Sequence, residues 1–117
     1  MLQLANVFGE LYEVGDRIVS GGCKQGADRF AEIIAAQLGL TERNGMLIIH
    51  RPADVPAGSS RYAYTKANYA RNALIAADSD VLIAVAADDR KGGTENTVKT
   101  FKKRGLKPII LDTDAVT

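Results

Sequence analysis

Four short apolar runs, none of them alternating with polar residues, constrain this chain more than any other feature. They are Ile18-Val19, Met46 to Ile49, Val81 to Val85 and Ile109 to Leu111. A strand with one wet face alternates apolar and polar residues, whereas a strand covered on both faces does not need to. Between the runs the period becomes helical. Leu4, Phe8, Leu11 and Tyr12 share a face and predict a helix over about residues 3–14, ended by Gly15. Ala27, Phe30, Ala31, Ile34 and Leu38 predict a second helix, closed by Gly39. Ala63, Ala67, Ala70, Leu74 and Ala77 predict a third, whose small side chains suit close approach to a sheet. Thr94, Thr97, Val98 and Phe101 predict a fourth that stops at Gly105. Strands alternating with helices of this length pair in parallel through right-handed crossovers. The expected class is α/β, a three-layer α/β/α domain with a mainly parallel sheet of about four strands. No repeat or linker divides it, so residues 1–117 read as a single domain.

Composition narrows the function classes. Fifteen Lys and Arg against fourteen Asp and Glu leave a net charge of +1, which calls for no polyanionic partner. The basic residues Lys99, Lys102, Lys103, Arg104 and Lys107 cluster at the end of the fourth predicted helix, where cations complement the dipole and a solvated face is expected. No aromatic residues interleave with them, so nucleic acid is not the expected partner. Cys23 is the only cysteine and His50 the only histidine. An internal disulfide and a Cys/His zinc site are thereby excluded within one chain, and no metal is expected. No apolar run approaches the roughly 20 residues that span a bilayer. The first residues lack the basic-then-apolar layout of a signal peptide. The expectation is a soluble, cytoplasmic protein with no membrane partner.

Two glycine-rich segments each follow a predicted strand and open a predicted helix. The first is Ser20-Gly21-Gly22-Cys23-Lys24-Gln25-Gly26-Ala27-Asp28, and the second is Asp88-Asp89-Arg90-Lys91-Gly92-Gly93-Thr94-Glu95-Asn96. Glycine admits close approach of a ligand to the backbone, and the first amides of a helix have no internal partner and favour an anion. Neither segment is a GxGxxG or a Walker A motif, and any strand-to-helix turn favours glycine. As a pair they gain weight. In open parallel sheets ligands sit at the carboxyl ends of strands where the order reverses, which here falls between strands 17–20 and 80–86.

Other residues admit two readings. Arg71, beside Asn72 on the third helix and off its alanine stripe, reads either as a bidentate phosphate contact or as an exposed helical arginine. Glu95 is a candidate general base, yet an acid in the first helical turn also simply complements the dipole. Asp54 is the other carboxylate to consider. Cys23 has no histidine or second cysteine near it in sequence and reads as inert. His50, after a strand end, reads as a surface or capping residue.

Taken together, Ser20-Gly21-Gly22 with Gly26-Ala27-Asp28, Pro52-Ala53-Asp54, Arg71-Asn72, Ala77-Asp78-Ser79-Asp80-Val81-Leu82-Ile83 and Gly92-Gly93-Thr94 resemble the SLOG superfamily of Rossmann-like domains. The nearest likeness is to its YspA-like branch, and DprA and the LOG phosphoribohydrolases belong to the same superfamily. The resemblance runs over about residues 17–111. It implies a Rossmann-like fold that binds a nucleotide or nucleotide-derived ligand through Ser20, Gly21, Gly22, Arg71, Gly92, Gly93 and Thr94. Asp28 would shape the helix start rather than touch the ligand.

Two departures stand out. LOG enzymes carry a glutamate three residues after the threonine of their glycine motif, and this chain has Thr97 there, with Glu95 out of register. Members also open with a strand and a Gly-Ser-Arg-type loop, whereas this chain opens on the helix. In that case strand 17–20 either pairs directly with strand 80–86 or takes a strand from elsewhere. Unpaired strand edges are sticky, so association as a homodimer is expected. Three functional classes follow: a nucleotide-binding module, an N-glycosidic hydrolase of nucleoside monophosphates, and an interaction or assembly module without a ligand.

Overall fold

The computed structural model describes residues 2–23, 26–85 and 93–111. Its elements run α1 (Leu2–Leu11), β1 (Ile18–Ser20), α2 (Ala27–Gln37), β2 (Leu47–Ile49), α3 (Arg61–Asp78), β3 (Ile83–Val85), α4 (Gly93–Lys102) and β4 (Ile109–Leu111). The predicted alternation of helix and strand is present, and the class is α/β. Helix ends follow local chemistry. After α2, Gly39 takes φ +73° and the Leu40 amide reaches back to the Ala35 carbonyl oxygen at 2.8 Å, a left-handed helix stop. Ser60 caps α3, its hydroxyl accepting from the Ala63 amide at 3.3 Å.

The strands form two sheets instead of the expected one. β1 pairs in parallel with β2, Ile18 opposite Leu47, and β3 pairs in parallel with β4, Ile83 opposite Ile109. Among the described residues no ladder joins β1 to β3. The Ile18 amide donates to the Met46 oxygen, and the Ser20 oxygen accepts from the His50 amide. Since successive residues of a strand turn their backbone groups to opposite edges, Val19 addresses the edge away from β2. Likewise the Leu82 oxygen accepts from the Ile109 amide, so Ile83 addresses the edge away from β4.

Three buried clusters hold the elements together. Leu4 and Val7 of α1 pack with Leu111, Ile83 and Ile109. Phe8 and Tyr12, their rings stacked at 5.1 Å, pack instead with Ile18 and Ala35. One helix thus serves both sheets. On α3 and α4, Ala76, Val98 and Phe101 close over Leu82 and Ala84, with Val98 and Phe101 fully buried.

One expectation about a helix face is corrected. The alanine stripe is the inner face of α3 only in its first half, because Ala63 and Ala67 are half-buried but Ala70, Leu74 and Ala77 are exposed, whereas Asn72, Ala76 and Ser79 are buried and Arg71 and Ile75 half-buried. Polar residues tolerate burial here because they find hydrogen-bond partners. The basic cluster is exposed, as expected, yet one member also makes long-range contacts. Arg104 donates from Nη1 to the Ala76 carbonyl oxygen at 2.7 Å and to that of Ser79, satisfying the end of α3, and its guanidinium lies 5.8 Å from the Phe101 ring centre. Among the described residues no helix is long and apolar enough to cross a membrane.

Candidate functional site

β1 ends at Ser20, which is buried, and the chain turns at once into the first glycine segment. The Ser20 hydroxyl accepts from the Gly22 amide at 3.1 Å and donates to Glu32 Oε2 at 3.3 Å. Asp28, in the first turn of α2, accepts from the Gly21 amide through Oδ1 at 3.1 Å and from the Cys23 amide through Oδ2 at 3.2 Å. The turn therefore attracts negative charge, as a run of backbone amides beside a helix N-terminus should, and Asp28 supplies that charge internally. Gly22 and Gly26 both take φ +73°, which a side chain would resist. At Gly21 the constraint is space. A Cβ there would lie 2.8 Å from Asp28 Oδ2, 2.9 Å from Arg71 Nη1 and 3.1 Å from Ile75 Cδ1.

Arg71 closes the turn from the other side. Its Nη1 donates to the Gly21 carbonyl oxygen at 2.5 Å, and its Nε donates to Asn72 Oδ1 at 2.9 Å. Asn72, 4% exposed, then donates from Nδ2 to Asn96 Oδ1 at 3.3 Å. A chain of polar contacts thus runs from the β1–α2 turn, through α3, to the first turns of α4. Among the described residues the Nη2 group of Arg71 has no hydrogen-bond partner.

The structure brings together Ser20, Gly21, Gly22 and Arg71, which sequence reasoning had assembled by motif. Gly93 begins α4 and Thr94 is exposed beside it, two residues before Asn96. Gly92 lies outside the described residues. Glu95 is half-buried on the first turn of α4, and Thr97 is buried. Asp54 is exposed and lines a separate cleft of about 320 Å³ with Pro52, Tyr64 and Asn68. Cys23 is exposed and contributes its amide to the turn. His50 is partly exposed, and its Nε2 lies 2.5 Å from Asp78 Oδ2, joining the end of β2 to the last residue of α3. Asn96 and Glu32 were missed. The signal for Asn96 was its place in the Gly-Gly-Thr-Glu-Asn segment, but nothing local ties it to Asn72.

One charged pair sits apart from this cluster. Arg51 reaches Glu42 Oε1 at 3.0 Å and Oε2 at 3.4 Å, and both side chains are exposed. The hydrogen bond from Arg51 holds the Glu42 carboxyl below the usual carboxylate range, and the same bond raises Arg51. Among the described residues no group of three or more His, Cys, Asp or Glu could hold a metal ion. No family model, curated protein or solved structure matches this chain.

Proposed function

We propose that this domain binds a nucleotide or nucleotide-derived, phosphate-bearing ligand at the β1–α2 turn, against Arg71 and the start of α4. The observation that carries the reading is the contact of Arg71 with Gly21, continued through Asn72 to Asn96. It sets a guanidinium fork, with Nη2 left over, beside a turn whose glycines admit close approach. Nε and Nη1 already serve Asn72 and Gly21, so Nη2 is the group that would donate to a phosphate oxygen. Asp28 would keep the turn in shape and stay off the ligand, while Gly93 and Thr94 would offer an amide and a hydroxyl from α4. The likeness of these motifs to SLOG domains supports the same reading, and with it a Rossmann-like three-layer arrangement of the four strands.

A thermal-shift screen of nucleoside mono-, di- and triphosphates and ADP-ribose, with and without Mg²⁺, tests this. Ligand at a hundredfold excess over Kd stabilises the native state by about 2.7 kcal/mol, a clear rise in Tm. The expected result is a rise with one ligand class that is lost in Arg71→Gln. A flat screen on folded protein would refute the proposal.

A further inference from the structure

A phosphate held at Arg71 leaves the remainder of a nucleotide to be housed. The cleft of about 320 Å³ between residues 52–55 and α3 has room for it, at the lower end of the size range of small-molecule pockets. Tyr64, Asn68 and Arg71 follow one another at spacings of four and three residues, so they form one row along α3. At about 1.5 Å per residue, Asn68 lies about 4.5 Å and Tyr64 about 10.5 Å from Arg71 along the helix axis. A unit bonded to a phosphate at Arg71 Nη2 has this cleft as its neighbouring space.

The loop that faces α3 is tied down. The Pro56 carbonyl oxygen accepts from the Ser59 hydroxyl at 2.6 Å, the Ser59 amide at 3.1 Å and the Tyr64 hydroxyl at 3.5 Å. Two residues earlier, Asp54 is exposed, and among the described residues its carboxylate has no hydrogen-bond or ion-pair partner. Among the described residues no lysine or arginine lines the cleft, so a phosphate is repelled from it. An ionised carboxylate only accepts, and it fits a neutral group that brings donors. The adjacent hydroxyls of a pentose bring two. Tyr64 offers a ring face beside Val55 and Ala67, which suits a flat base, and the Asn68 amide offers a donor and an acceptor to its edge.

We propose that this cleft holds the nucleoside half of the ligand, an assignment that rests on the binding of its phosphate at Arg71. Asp54 accepts from the 2′- and 3′-hydroxyls of the ribose, and the base lies against Tyr64. The domain thereby selects ribonucleotides over 2′-deoxyribonucleotides.

The test is isothermal titration calorimetry of the full chain with the four ribonucleoside 5′-monophosphates and their 2′-deoxy counterparts. At least one ribonucleotide is expected to bind about tenfold or more tighter than its deoxy form, since a charge-assisted hydrogen bond is lost with the hydroxyl. Asp54→Ala should bring that ribonucleotide to the deoxy affinity and leave the deoxy form unchanged. Tyr64→Ala should weaken both about tenfold, whereas Tyr64→Phe, which keeps the ring, should bind as the unaltered chain does. The comparison of the two sugars uses the unaltered chain, so it decides the matter even where a variant fails to fold. Equal affinity for both sugars, lost in Arg71→Gln and retained in Asp54→Ala, would overturn the assignment of the cleft and spare the phosphate site. No binding by any of the eight probes would overturn both.

Discussion

Arg71 on α3 donates from Nη1 to the carbonyl oxygen of Gly21, fifty residues earlier in the chain, at 2.5 Å. The same guanidinium holds Asn72 Oδ1 through Nε. Truncation by Arg71→Ala leaves two acceptors without this donor in a half-buried setting, which costs about 1–3 kcal/mol. Arg71→Lys should recover only part of that, because one ammonium cannot reproduce a fork that addresses two acceptors. Urea unfolding of the three proteins checks the order. Equal midpoints would mean that the contact does not hold the turn.

Glycines 21 and 9 should respond in opposite directions to the same change. A Cβ at Gly21 would enter the space of Asp28 and Arg71, so Gly21→Ala should destabilise by about 1–3 kcal/mol. Gly9 lies within α1, exposed, with nothing within 4 Å of an added Cβ. Gly9→Ala should therefore stabilise by about 0.5–1 kcal/mol, through the lower backbone entropy of alanine in the unfolded chain. Calorimetric Tm values for the two variants decide the matter, and a loss at both positions would contradict it.

Arg104 serves the carboxyl end of α3 from the far end of α4. Arg104→Met keeps much of the side-chain bulk over Phe101 but withdraws the donor from the Ala76 and Ser79 carbonyls. A loss of about 1–3 kcal/mol is expected. Lys102→Met, two residues away and exposed, should change stability by no more than about 0.5 kcal/mol. Denaturant curves measured side by side would show whether the two differ.

Glu42 titrates below the usual carboxylate range because Arg51 donates to its ionised form. A folded-state value below the unfolded one means that the pair stabilises the protein at pH above the unfolded carboxyl value. That contribution fades as pH falls through the folded value. Both groups are exposed, so the effect is small and salt-sensitive. An NMR titration should place the Glu42 midpoint below that of other exposed glutamates, and Arg51→Gln should return it to their range. An unchanged midpoint in the variant would remove Arg51 as the cause.

Local patterning by itself determined the eight elements, their order and several of their ends. Apolar runs, the helical period and glycines such as Gly39 and Gly105 act through neighbours in the chain, and both glycines stop their helices with positive φ. The motifs also nominated Ser20, Gly21, Gly22 and Arg71, which the fold draws into one cluster. Tertiary structure alone decided the rest. Whether four parallel strands make one sheet or two depends on which edges meet, and no single strand encodes its partner. Asn72 and Arg71 look like surface residues by polarity, yet they face inward because Asn96 and Gly21 wait there with complementary groups. Arg104 likewise left its basic cluster for two carbonyls more than twenty residues back. A polar side chain tolerates burial where a partner completes its hydrogen bonds, and for Asn72 that partner, Asn96, lies in a distant segment brought there by the fold.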